Sequence, residues 1–364
     1  MSWLTSFSDK ELFAPFSVRE DSDYYNDLRK RYTHLIKLLE SAGADEKCIG
    51  IVKKYSDKVC EAIRDYYKGN ISTCHQKIQN LVKKSSDNKL ALSSLNESIA
   101  FPGGKNEEIQ LFRARVSNTA ADYTPRDMLH LPYKLRAKTG NYRFSIPGIA
   151  CLYLANSSYG CWIEMGRPSE HDFYVAPAVL DGSQKIFNLA VMSRDLAHVN
   201  DTERVHCWLR LLVLMIATSY KVEENGRSFK SEYIVSQSIM LACKTLGYDG
   251  VAYFSKRVFD ERFALVAINL ALFADYRRGK EYGEICSHLK IDYAMNYQMY
   301  RQLNSAAKLR KYKLRVANTP YITNIKDNQR NQYSYKDTEF FLFDKHLFAQ
   351  WEDKDSLAWG NALI

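Results

Sequence analysis

Y-R-F-S-I-P-G-I-A-C-L-Y-L-A-N-S-S-Y-G-C-W-I-E, residues 142–164, decides how the chain is read. An arginine, Arg143, stands beside two aromatic residues, and Pro147-Gly148 makes a turn. The apolar run Ala150–Leu154 is short enough for a buried strand. Asn156-Ser157-Ser158 has the chemistry of a helix N-cap, and Tyr159–Met165 then reads as a helix with Glu164 inside it. A strand feeding a capped helix that carries a carboxylate, with a cation just upstream, holds more polar chemistry than a core requires.

Working outward, the next elements extend a mixed architecture. I-Q-L-F-R-A-R-V (109–116) alternates apolar and polar residues, as a half-buried strand does. Phe173–Ala176, Lys185–Leu189, Gly250–Phe254 and Ala264–Phe273 read as further strands. Val205–Tyr220 and Tyr233–Leu246 read as helices, the second stopped by Gly247. Upstream, Tyr24, Leu28, Tyr32, Leu35, Leu38 and Leu39 recur at helical steps. Gly43 is placed to end that helix and Asp45 to cap the next, which carries Ile49, Val52, Val59 and Ile63. A third helix is expected over Ile71–Val82. The polar stretch 85–96 reads as a linker, and Pro102-Gly103-Gly104 as a break. Downstream, Tyr282–Leu289 and Tyr293–Leu303 read as helices and Phe340–Phe343 as a strand. Lys308, Arg310, Lys311, Lys313 and Arg315 form a basic cluster, best read as a solvated face. The expected fold class is α+β. It divides into a small all-helical domain (1–105), a sheet domain (106–275) and a mixed C-terminal extension (276–364).

Composition limits the function classes. The chain has 364 residues, 46% of them hydrophobic, which is ordinary for globular domains. No apolar run reaches the roughly 18–20 residues of a membrane helix, and the N-terminus lacks the pattern of a signal peptide. Eight cysteines are scattered without C-x-x-C spacing, which points to reduced thiols in a cytoplasmic protein. No metal site is expected, because Cys74-His75 has no partner pair at ligand spacing. A net charge of +9 permits an anionic partner without deciding between nucleic acid, a nucleotide and an acidic protein.

Four segments carry polar groups suited to one cleft. Strand alternation puts Arg113 and Arg115 on one face. Guanidinium groups turned away from water need anionic partners and match phosphate oxygens. Arg143 and Phe144 add a cation and an aromatic ring, and Tyr153 and Glu164 follow. Tyr233 and Gln237 share a helix face with Ser236 beside it. Such a set suits a nucleotide diphosphate with a scissile N-glycosidic bond. Arginines grip the pyrophosphate and a ring stacks on the leaving base. One carboxylate then stabilises the positive charge that develops on the ribose.

The ordered blocks L-F-R-A-R, Y-R-F-S-x-x-G, L-Y-L-A-x-S-x-x-x-C-x-x-E, Y-x-x-S-Q and G-Y-D-G-V-A-Y-F-S resemble the RES domain over roughly residues 108–275. That family contains NAD-degrading toxins of toxin–antitoxin systems, and its fold is similar to ADP-ribosyltransferases. The resemblance implies that Arg113, Tyr153, Glu164 and a serine are catalytic. The serine is Ser236, or Ser231 in a shifted alignment. It implies that Arg143 binds substrate, with NAD as substrate and no cofactor, and the cleft read from the residues adds Arg115, Phe144, Tyr233 and Gln237 as substrate-binding. Here the block around Arg143 has Phe144 and Ser145 where the family has Trp and Asn, and no Gly-Gly precedes it. The R-x4-H spacing of Arg29 and His34 resembles the HEPN ribonuclease motif. The expected function is cleavage of the nicotinamide–ribose bond by a toxin or anti-phage effector. It would be restrained by an antitoxin or regulatory protein, and a homo-oligomer is compatible with it. Transfer of ADP-ribose to a macromolecule, and RNA binding or cleavage by the helical region and basic cluster, are the alternatives.

Overall fold

The computed structural model describes residues 3–7, 15–18, 23–85, 108–191, 201–222, 226–258, 266–307, 324–326 and 332–349. In chain order its elements are α1 (Trp3–Ser6), β1 (Phe16–Ser17), α2 (Tyr24–Ala42), α3 (Glu46–Tyr67), α4 (Ile71–Ser85), β2 (Ile109–Val116), β3 (Cys151–Ala155), α5 (Ser158–Glu164), β4 (Phe173–Leu180), β5 (Ile186–Asn188), α6 (Thr202–Ala217), β6 (Tyr220–Lys221), α7 (Ile234–Thr245), β7 (Gly250–Phe254), β8 (Ile268–Phe273), β9 (Leu289–Ile291), β10 (Met295–Asn296), α8 (Tyr297–Ala307), β11 (Asn324–Lys326), β12 (Gln332–Ser334) and α9 (Glu339–Ala349). The chain is α+β. It forms two compact units, each assembled from separate stretches. The first comprises residues 1–94, 140–147 and 184–261; the second comprises 95–139, 148–183 and 262–364.

The first unit is largely helical. Asp23 caps α2 by accepting from the Tyr25 amide, and Gly43 ends it at φ +82°, a left-handed conformation that costs glycine little. Asp45 caps α3 through the Cys48 amide. Tyr24, Leu28, Tyr32, Leu35 and Leu39 form the buried stripe of α2, as their spacing requires. Helix α6 is apolar almost all round and buried accordingly, which makes it the central helix of this unit. The hydroxyls of Tyr24 and Tyr32 donate to the carbonyls of Ala217 and Val213 at 2.8 and 3.0 Å, tying α2 to α6. Two short parallel ladders, β1 with β6 and β5 with β7, complete the unit.

The second unit is built on an antiparallel sheet with strand order β10-β4-β2-β3-β8, and β9 also pairs with β4. The eight residues of β2 pair in full with β4, from Ile109↔Leu180 to Val116↔Phe173. Strand β3 pairs with β8 from Cys151↔Phe273 to Ala155↔Asn269. One face of this sheet carries Phe112, Ala114, Ala155, Phe173 and Val175, and packs against Cys161 of α5, Tyr297 and Tyr300 of α8, and Phe343 and Leu347 of α9.

Two local expectations are corrected. Phe340–Phe343 lies within helix α9, not a strand; a four-residue apolar run has no period of its own, and this one is buried as a helix face. Residues 282–289 form a 3-10 turn (Glu284–His288) leading into β9 rather than an α-helix. Of the expected linker, residue 85 ends α4; the rest of it (86–96), the Pro-Gly-Gly break and the basic cluster at 308–315 lie outside the described residues.

Candidate functional site

Helix α5 presents Glu164 at its C-terminal end. Ser157 caps the other end, its hydroxyl accepting from the Gly160 amide at 2.8 Å and donating to the Val266 carbonyl. The Glu164 carboxylate is half-buried, and the Asn269 side-chain amide donates to its Oε1 at 2.6 Å. Asn269 stands on β8 opposite Ala155, and Tyr153 stands opposite Ala271. Register and strand alternation therefore put Tyr153 and Asn269 on one face of the sheet, as diagonal neighbours. Glu164, which the sequence anticipates, is thus joined by Asn269 on the face of the sheet that also carries Tyr153.

Arg113 is close to this set but reaches it differently. Phe112 pairs with Ala155, so alternation turns Arg113 and Arg115 to the opposite face. The Arg113 guanidinium donates from Nη1 to the Tyr153 carbonyl at 2.9 Å and from Nε to the Met128 carbonyl at 3.3 Å. Arg115 donates to the carbonyls of Asp127 and Leu129 at 2.6 and 3.3 Å. The two arginines share a face, as alternation requires. These contacts run to backbone carbonyls, however, and bind the loop around residues 127–129 to one face of the sheet. Next to that loop, burial holds His130 down to about 4, so the ring is neutral at ordinary pH. Its Nδ1 is within hydrogen-bond distance of the Leu131 carbonyl, and its Nε2 accepts from the Gly283 amide at 3.0 Å.

The first unit holds the remaining expected residues. Arg143 donates to the carbonyls of Thr218 (2.8 Å) and Phe254 (3.1 Å), with its guanidinium 5.2 Å and 5.0 Å from the ring centres of Phe144 and Tyr253. Phe144 and Tyr253 stack at 4.2 Å. Lys256 is buried beside them, and burial, reinforced by the neighbouring Arg143, holds its ammonium well below the usual lysine range. Gln237 donates to the Asn141 side chain and to the Tyr142 carbonyl (3.1 Å). Ser236 is fully buried and donates back to the Tyr233 carbonyl at 3.2 Å, a bond internal to the start of α7. Ser231 and Tyr233 lie on the 3-10 turn before α7 and are half-buried. Glu232 between them is fully buried and paired with Arg227 at 2.6 Å. Arg29 and His34 are both exposed on α2, and five positions apart they diverge by about 140° around a helix.

Sequence reasoning missed Asn269, Tyr253, Lys256 and Glu232. Asn269 carried a signal: an amide inside the apolar strand Ile268–Phe273 needs a polar partner when buried. Lys256 follows directly on the motif that ends at Ser255, where a lysine reads as surface. Among the described residues no group of three His, Cys, Asp or Glu side chains stands close enough to hold a metal ion, and no helix is long and apolar enough to cross a membrane.

A model of the RES domain matches residues 109–289. The chain carries a RES domain. The match begins at β2, so the HEPN-like reading of the helices before it stays an expectation. The putative toxin YopC of Bacillus subtilis (strain 168) is 27% identical over 241 residues, which are 62% of this chain and 53% of that protein. The chain thus spans about half the length of this curated relative. Among solved structures, the crystal structure of the M. tuberculosis MbcT-MbcA toxin-antitoxin complex aligns over 63% of this chain and 97% of that one. Identity there is 12% and the TM-score 0.31, too low a likeness to carry an inference.

Proposed function

We propose that this protein consumes NAD by cleaving its nicotinamide–ribose bond. The observation that carries the reading is the Glu164 carboxylate, oriented by Asn269 within a RES domain and near Tyr153. In the proposed reaction nicotinamide leaves with the bonding electron pair, and positive charge develops on the ribose. Water or phosphate then adds at the same carbon and releases a proton. Glu164 stabilises the cation-like transition state. A carboxylate about 4 Å from unit positive charge, at an effective dielectric of ~20, contributes roughly 4 kcal/mol, or about a thousandfold in rate. Tyr153 faces the leaving base, and Arg113, from the opposite face of the sheet, braces the Tyr153 backbone through its carbonyl.

The test is NAD turnover by the purified protein. Wild type releases nicotinamide, and Glu164→Gln is slower by about a thousandfold. A variant as fast as wild type would refute the assignment. The second product identifies the acceptor: free ADP-ribose means water, its 1-phosphate means phosphate, and label on protein or nucleic acid means transfer. The description of YopC as a putative toxin favours a growth-arresting role. Expression of wild type then lowers cellular NAD and halts growth, and Glu164→Gln does neither. Such an activity calls for an inhibitory protein partner in the host cell.

A further inference from the structure

Helix α9 lies beyond the matched RES domain, yet within the second unit its residues reach both the start and the flank of α5. The first turn of a helix leaves amide groups without intrahelical partners. The amide of Ser158, the first residue of α5, donates to Oδ1 of Asp344 at 3.1 Å. The Tyr335 hydroxyl donates to Oδ2 of the same carboxyl at 2.6 Å, so both oxygens are engaged. The Ser158 hydroxyl reaches the Phe340 carbonyl at 3.4 Å. The Phe340 ring meets Tyr159 edge-on at 5.3 Å and Trp162 at 5.5 Å, and it stacks on Tyr297 of α8 at 5.0 Å. One turn further on, Phe343 and Leu347 join the core cluster that holds Cys161. Asp344 is 8% exposed and Tyr335 fully buried, so this arrangement is sealed from water. Helix α5 has only seven residues, too few to hold its own geometry in isolation.

We propose that α9 is a latch for α5: Asp344 and Phe340 fix the N-terminal end and flank of this short helix, and so position Glu164 about 9 Å further along its axis. Asp344 is a positioning residue. It acts through α5, and its importance for turnover rests on the proposed role of Glu164.

The test uses the full chain and two readouts. In hydrogen exchange followed by mass spectrometry, Asp344→Ala speeds exchange of the amides at 158–165 at least tenfold and leaves those of β2 and β4 unchanged. In NAD turnover, the same variant lowers kcat about tenfold with KM within twofold. Asp344→Asn, which keeps an oxygen for the Ser158 amide, restores most of the rate. Unaltered exchange of α5 in Asp344→Ala overturns the latch. Faster exchange with an unchanged kcat overturns its link to Glu164. If wild type itself releases no nicotinamide, the reading of Glu164 falls while exchange still decides the latch. Should Asp344→Ala fail to fold, Phe340→Ala is measured in the same two ways and bears the same outcomes.

Discussion

Asn269→Ala isolates what the second side chain of the Glu164 pair contributes. The Asn269 amide donates to Glu164 Oε1 at 2.6 Å, a charge-assisted bond. Without it the half-buried carboxylate swings toward water, and Glu164 itself remains. At about 4 Å from the ribosyl charge and an effective dielectric of ~20, a carboxylate contributes about 4 kcal/mol; at about 6 Å it contributes about 3 kcal/mol. The loss is a little over 1 kcal/mol, about tenfold in kcat. KM should stay within a factor of about two, since the bond orients a group whose attraction grows in the transition state. The assay is steady-state nicotinamide release by wild type, Asn269→Ala, Glu164→Gln and the double variant. If Asn269 acts only through Glu164, the double variant is no slower than Glu164→Gln, because coupled residues are not additive. A double variant slower by the product of the two single effects refutes this reasoning.

Two further perturbations test the second unit. Burial pushes the Asp344 carboxyl up to about 7, from an ordinary value of 3.8. The groups facing it are Tyr335, Tyr300 of α8 and Cys161 of α5, with Lys345 beside it on α9. An acid whose folded value is raised binds a proton on folding between its unfolded and folded values. Stability therefore falls as pH rises from about 4 to about 7, by up to about 4 kcal/mol. Asp344→Asn lacks this dependence, so its melting temperature should gain on wild type across that window; parallel pH profiles would count against the assignment. At Gly283, an added Cβ would stand 1.4 Å from the Ala274 carbonyl oxygen. Gly283→Ala should cost about 3 kcal/mol or more by forcing two backbone segments apart; an unchanged denaturation midpoint would show that they do not approach so closely.

What the sequence disclosed followed from how local each signal is. Asp45 and Gly43 act within one turn of their own helices, and they stand where spacing put them. The alternation of Phe112-Arg113-Ala114-Arg115 gave the faces of β2, because a strand's period does not depend on its neighbours. The partners of those arginines were not legible. The anions anticipated for them are replaced, in the contacts to residues 127–129 and 153, by carbonyls brought in by a loop and a neighbouring strand. Asn269 was hidden for a related reason: its pairing with Glu164 depends on a register between strands more than a hundred residues apart. Asp344 sits in F-F-L-F-D-K-H-L-F, where an apolar run suggests a strand, and a carboxyl at its end reads as the return to solvent. Only the fold shows that the same residue is buried against the start of another helix.

The latch also sets an order of events during synthesis. Asp344 follows Ser158 by 186 positions. A ribosome adding roughly 5–20 residues per second needs about ten to forty seconds to cover that distance. For nearly all of that interval Glu164 has been synthesised while the helix that fixes it has not. A nascent chain, or one truncated before residue 335, would carry the glutamate without its support. On the proposed role of Glu164, turnover would thus run about tenfold below its full rate until helix α9 is in place.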